Sequence, residues 1–195
     1  MAILYKHSWL FHSAMTCAYR THRQERFRAL AQWVPEGAHV LDVCCGDGSF
    51  SKHLAPSVRY RGLDHSPAFV RTARRHGRQV ETFDLRHDRL PPSQIVVCQI
   101  SLYQFYPEEA AVLARLFEAA KQRLIISESV RSLAKSRWPW IASLGAWGLH
   151  VEGMTNSRFR FTPEGLEELF QPYRPHIGQA GAICGGRDWL FVLDK

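Results

Sequence analysis

The chain has 195 residues, the length of one domain, with 46% hydrophobic and 22% charged residues, a composition that excludes a disordered or fibrous chain. Lys and Arg number 25 against 18 Asp and Glu, a net charge of +7, which favours anionic partners or simply a solvated basic surface. No run reaches the ~18–20 apolar residues of a membrane span. The five cysteines (Cys17, Cys44, Cys45, Cys98, Cys184) are odd in number and contain no Cys-x-x-Cys pair, so neither a disulfide framework nor a zinc site is expected. Reduced thiols and a cytoplasmic location are the simple reading. Lys6, His7 and His12 break the apolar start of the chain, which does not read as a signal peptide.

In chain order, residues 22–34 carry apolar positions at helical spacing and stop at Pro35-Glu36-Gly37. Residues 39–43 (HVLDV) read as a buried strand, residues 46–48 as a turn, and residues 49–55 as a helix opening from it. A second strand at 59–63 precedes a helix that Ser66 caps, Pro67 starts and Gly77 ends. Strands at 79–83 and 94–100, an amphipathic helix over 107–120 and a strand at 122–127 follow. Residues 128–160 are aromatic and without a clean period. They read as an insertion over the ligand edge of the sheet. Thr162 caps a further helix, and strands at 173–178 and 188–193 complete seven. Strands alternating with helices of about ten residues imply a doubly wound, mostly parallel sheet. The chain thus reads as one domain, residues 1–195, with a cap at 1–35 and the insertion at 128–160 forming the acceptor side.

The segment Val40-Leu41-Asp42-Val43-Cys44-Cys45-Gly46-Asp47-Gly48 is strand followed by glycine turn, the place where an open α/β sheet binds ligands. Asp64, 18 residues after Gly46 at the end of the second strand, suits a pair of ribose hydroxyls. Together they point to a nucleoside-containing cofactor. Ser51 stands at the third position of a G-x-G-x-x-G pattern, which weakens a nicotinamide reading. Asp42 would repel a pyrophosphate and suits a ligand with an amino group and a sulfonium.

These residues resemble motif I of the class I S-adenosylmethionine-dependent methyltransferases, usually L-D-x-G-C-G-x-G. Gly62-Leu63-Asp64-His65-Ser66, Asp84-Leu85, Gln99 to Phe105, Arg123 to Glu128 and Arg160 to Glu164 resemble later motifs in the family's order, over about residues 38–170. The resemblance implies a Rossmann-like, seven-stranded fold with an antiparallel last strand. It implies S-adenosyl-L-methionine as cofactor, S-adenosyl-L-homocysteine as product, and no metal. Asp42, Cys44, Gly46 and Gly48 would form the cofactor turn, with Asp42 and the Gly46 backbone at the methionine end. Asp64 would take the ribose, His65 would flank the adenine, Asp84 and the Leu85 N–H would read its edge, and Gln99 and Ser101 would line the methionine. Cys44 replaces the family's first glycine, as in methyltransferases resembling the ubiquinone/menaquinone branch.

Methyl transfer needs a base only if the acceptor must lose a proton. Tyr103 and His150 are the candidates, ahead of His87 and His176. The aromatics of the first 20 residues and Trp138, Trp140 and Trp147 suit a small, apolar or aromatic acceptor; contact with a membrane surface is the other reading of the tryptophans. An RNA substrate, motivated by the charge and by Arg71 to Arg78, is the runner-up, and a non-catalytic module binding the cofactor or a lipid is the third reading. Taken alone, Arg71 to Arg78 reads first as the solvated face of a surface helix. The oligomeric state is not legible.

Overall fold

The computed structural model describes residues 22–130 and 159–195. The expectations for His150, Trp138, Trp140, Trp147 and residues 1–21 lie outside the described residues.

The elements are α1 (His22–Ala31), β1 (His39–Val43), β2 (Arg59–Asp64), α2 (Pro67–Arg75), β3 (Val80–Thr82), β4 (Ser93–Gln99), α3 (Glu109–Ala119), β5 (Ala120–Ser129), α4 (Pro163–Phe170), β6 (Ile177–Ile183) and β7 (Asp188–Asp194). The seven strands form one sheet in the order β3-β2-β1-β4-β5-β7-β6. The pairs β1–β2, β1–β4, β2–β3 and β4–β5 are parallel, and β7 is antiparallel to both β5 and β6.

Central strands buried on both faces read as continuous apolar runs, and alternation assigns each residue to a face. Leu41, Val43, Val96, Cys98, Leu124 and Ile126 pack with α3, through Val112, Leu113 and Leu116, and with α4, through Leu166 and Phe170. Val40, Ile95, Val97 and Ile125 pack on the opposite face under Phe27 and Leu30 of α1 and Phe50. Burying each such large aliphatic chain stabilises the fold by roughly 1.5–3 kcal/mol. Val70 and Ala73 of α2 close over Val80.

Several boundaries differ from the sequence reading. The helix expected at 49–55 is a five-residue 3₁₀ turn, Ser49–His53. The fifth strand begins at Ala120, where the helix ends, and runs to Ser129, so residues 128 and 129 belong to the sheet and not to the insertion. The strand expected at 173–178 is mostly a 3₁₀ turn, Gln171–His176, held by Pro172 and Pro175, and the strand follows it. Thr162 caps α4 as expected, its Oγ1 accepting from Gly165 N at 3.1 Å. Ser66 occupies the N-cap of α2 without a side-chain cap bond.

Candidate active site

The strand order reverses direction between β1 and β4, and ligands of open α/β sheets sit outside the carboxyl ends of the strands at such a point. Val43 lies opposite Leu63 on one side and Cys98 on the other. The chain leaves β1 through Cys44, Gly46 and Gly48, with φ of 57°, 60° and 69°. Cys44 therefore takes the left-handed conformation of the glycine it replaces, at a cost of roughly 1–2 kcal/mol. Cys45 N donates to Leu63 O at 3.1 Å and Gly48 N to Cys45 O at 3.1 Å. Gly62 makes room for this turn, because a Cβ there would stand 2.7 Å from Cys45 Sγ and 2.9 Å from Val80 Cγ2. The backbone N–H groups after the turn are partly used. Ser49 N donates to Asp47 Oδ1 at 3.2 Å, and Ser51 N to Gly48 O at 3.1 Å.

Asp42 is fully buried in β1. Its Oδ2 accepts from the Tyr60 hydroxyl at 2.8 Å, and its Oδ1 has no partner. Burial raises its pKa to about 7, against the Tyr60 hydroxyl and the Gln99 side chain, while Asp64 and Asp47 add repulsion. The buried Oε1 of Gln99, at the end of β4, also lacks a partner. Alternation puts Asp42 and Gln99 on one face of adjacent strands, since Asp42 pairs with Val97. Two unpaired acceptors at the switch point ask for a ligand rich in donors or positive charge.

Asp64 ends β2, also buried. Its Oδ2 accepts from Gly46 N at 2.7 Å and its Oδ1 from Ser66 N at 2.9 Å. Burial nonetheless raises its pKa to about 6, opposed by those two hydrogen bonds and by His65. A carboxylate has about four acceptor positions, so two remain for hydroxyls. His65 stands half exposed beside it, 4.0 Å from Oδ1. Asp84 follows β3, tied to the sheet by Phe83 N on Asp64 O at 3.0 Å. Its Oδ1 accepts from Arg86 N at 2.9 Å, and its own N–H donates to Asp88 Oδ2 at 2.8 Å. Leu85 is buried in the core beneath.

Past β4, Ile100 has φ 48°, a costly conformation for a β-branched residue. It is held by its N–H on Ser127 O at 2.7 Å and by Glu128, whose Oε1 accepts from Ser101 N at 2.6 Å and Leu102 N at 2.8 Å. Ser101 Oγ donates to Gln99 O at 2.9 Å. Tyr103 lies in the following 3₁₀ turn, Leu102–Phe105, with the Arg160 guanidinium 4.3 Å from its ring centroid. Tyr106 stacks on Phe159 at 4.0 Å. The chain thus returns at residues 159–160 against the segment that follows β4.

The sequence reading missed the burial of four charged side chains. Glu128 is buried at the end of β5 with Oε2 unpartnered; burial lifts its pKa to about 7, with Asp188 adding to the rise, against the backbone N–H groups of Leu102, Ser101 and Tyr103. Arg26 and Asp188 form a buried pair at 3.1 Å, joining α1 to β7. Arg78 is no part of a solvated face: 8% exposed, it donates to Asp47 Oδ2 at 2.8 Å and Asp47 O at 2.7 Å. Gly77 at φ 69° was the available signal, since it ends α2 and turns Arg78 back toward the site. The lesser base candidates fall away from the crevice. His87 is 80% exposed, and His176 bonds Asp194 O at the opposite sheet edge. Among the described residues no group of three or more His, Cys, Asp and Glu side chains could hold a metal, and no helix is long and apolar enough to cross a membrane.

Residues 40–123 match the family model described as a methyltransferase domain. Trans-aconitate 2-methyltransferase of Mycobacterium tuberculosis is 31% identical over 103 residues, 50% of this chain and 40% of that protein. The enzyme of the same name from Mycobacterium ulcerans is 29% identical over 107 residues. The chain therefore spans about two fifths of the length of these relatives. In fold it is similar to magnesium protoporphyrin IX methyltransferase of Synechocystis with bound SAH, with TM-score 0.68 and 19% identity over 90% of this chain and 84% of that one. It is similar too to human N-acetylserotonin methyltransferase in complex with SAM, with TM-score 0.60 and 17% identity over 93% of this chain and 58% of that one. Residues 40–123 are thus similar to a methyltransferase domain, and they lie in a seven-stranded sheet whose fold is that of solved methyltransferases.

Proposed function

We propose that the protein transfers a methyl group from S-adenosylmethionine to a small-molecule acceptor. One observation carries the reading: the buried, unpartnered Asp42 Oδ1 and Gln99 Oε1 at the β1/β4 switch point, beside the glycine turn. A donor-rich, cationic ligand head fits that pair, whereas a pyrophosphate would meet the Asp42 carboxylate.

The cofactor, when bound, supplies a methyl carbon on a sulfonium, already activated toward attack. The chain's own residues then hold and align. Asp42 and Gln99 face the ammonium end, and the turn from Cys44 to Gly48 lets backbone approach closely. Asp64 offers its two remaining acceptor positions to the ribose hydroxyls, with its carboxylate aimed by Gly46 N and Ser66 N. His65, Asp84 and the Leu85 backbone stand along the adenine side, and Ser101 orients the Gln99 carbonyl. Tyr103, backed by Arg160, forms the wall on which a small aromatic or apolar acceptor would lie. Fixing the attacking atom in line with the sulfur–carbon bond supplies several kcal/mol of barrier lowering.

Of the Arg71 to Arg78 run that motivated the RNA alternative, Arg78 is held on Asp47, while Arg71, Arg74 and Arg75 are exposed, with Arg74 Nε donating to Val80 O at 3.3 Å. Calorimetric titration with S-adenosylmethionine, S-adenosylhomocysteine and NAD tests the reading. Micromolar binding of the first two and none of NAD is expected. A folded protein that binds neither sulfur compound overturns it.

A further inference from the structure

We propose that Glu128 is the general base of the reaction, its Oε2 taking the proton from a hydroxyl-bearing acceptor. The inference rests on the methyl-transfer reading above and deepens it.

The position comes from the sheet. Gln99 pairs with Ser127 across β4 and β5, so Glu128 stands one residue further on, near the carboxyl end of β5. Alternation with Leu124 and Ile126 turns it to the α3 side, the face where Tyr103, Phe105 and Phe161 are packed. Its two oxygens are used unequally. Oε1 is pinned by Ser101 N and Leu102 N at 2.6 and 2.8 Å, which fixes the carboxyl plane. Oε2 is buried and has no partner. A buried carboxylate oxygen left without a donor costs about 1–3 kcal/mol, and a hydroxyl on the acceptor is a group that would relieve it.

The groups around Glu128 keep both protonation states within reach. Asp188 of β7 adds repulsion and is itself paired with Arg26 of α1. Cys98 of β4 is a neighbour whose thiol is held neutral, its pKa raised by the hydrogen bond it donates to Cys44 and by burial. Tyr103, with the Arg160 guanidinium over its ring, packs on the same face of the sheet. Burial and these neighbours place the carboxyl near neutrality, where a general base works best. As the acceptor oxygen bonds to the methyl carbon, the carbon–sulfur bond breaks and its electron pair stays on sulfur. The hydroxyl proton passes to Glu128 Oε2, and solvent removes it after release.

The test uses the full chain, saturated with S-adenosylmethionine, and two probes: phenol, protonated at neutral pH, and pentafluorophenol, ionised. Glu128→Gln keeps an oxygen for the two backbone N–H groups but takes no proton. Expected is a loss of about 100-fold or more on phenol, little loss on pentafluorophenol, and unchanged affinity for S-adenosylhomocysteine by calorimetry. In the wild type the phenol-to-pentafluorophenol rate ratio falls as the pH drops below about 7, a ratio that cancels any pH effect on the cofactor. This second readout stands even where the variant does not fold. Equal losses on both probes, or a flat wild-type ratio, overturn the base role and leave Glu128 a structural anchor. Cofactor binding without turnover of either phenol overturns the hydroxyl acceptor and the base with it. Failure of the cofactor to bind overturns the methyl-transfer reading instead.

Discussion

Asp42 carries two burdens at once, full burial and an unused oxygen, and both have measurable consequences. With its pKa near 7 in the ligand-free protein, it holds a proton over the acid half of the physiological range. A cationic ligand wants it ionised, so affinity for S-adenosylmethionine is expected to rise with pH up to about 7 and then level, by at most about tenfold per pH unit. Titrations between about pH 5.5 and 8.5, in two buffers of different ionisation heat, check both the slope and the proton release. A flat profile removes Asp42 from the site. Asp64 is bound differently, with both oxygens on backbone N–H groups. Asp64→Ala removes two charge-assisted bonds, about 1.5–3 kcal/mol each, together with the ribose acceptors. It is expected to weaken cofactor binding at least roughly 100-fold by calorimetry, and near-normal affinity would sink the assignment.

At the scale of elements, the motif turn depends on neighbours that sequence spacing does not reveal. Gly62→Ala drives a methyl into Cys45 Sγ, Val80 and the Tyr60 hydroxyl. Overpacking of this kind costs typically about 1–3 kcal/mol, and a lowered Tm together with weaker cofactor binding is expected. The basic helix offers a contrast. Arg74→Ala with Arg75→Ala is expected to leave cofactor affinity unchanged, whereas Arg78→Ala leaves Asp47 beside the turn with Arg23 as its remaining arginine partner and lowers it. Titration of both variants decides. The strand at 39–43 was legible because both-face burial writes an apolar run into the chain. β6 was not: IGQAGAI lies at the sheet edge, half-buried at most, and owes its strand to pairing with β7. The glycine turn and Asp64 were legible from local spacing. Glu128 and the Arg26–Asp188 pair, 162 positions apart, were not, since only the assembled sheet brings their partners together.

For the whole molecule, buried carboxyls set the response to pH. Asp42, Asp64 and Glu128 all hold protons more tightly folded than unfolded, so folding takes up protons. Ligand-free stability is expected to fall as the pH rises from about 5 to about 8, read as a declining Tm. A Tm that climbs over that range would mean these carboxyls are solvated. Asp188→Asn strips Arg26 of a buried counter-charge, a change of the kind that costs about 3–5 kcal/mol; replacing both by apolar residues of similar volume is expected to recover much of that loss in a denaturation curve.

The placement of β7 between β5 and β6 also governs the order of assembly. β6 precedes β7 along the chain, yet among the described residues it pairs with the sheet only through β7. On a growing nascent chain, the five strands from β1 to β5 can pair in turn as they emerge. β6 must wait, its backbone donors and acceptors in water, until the later segment slides in beside β5 and supplies its partner. The last hairpin therefore docks as a unit, and its amides should be among the last to gain protection in a pulsed hydrogen-exchange experiment.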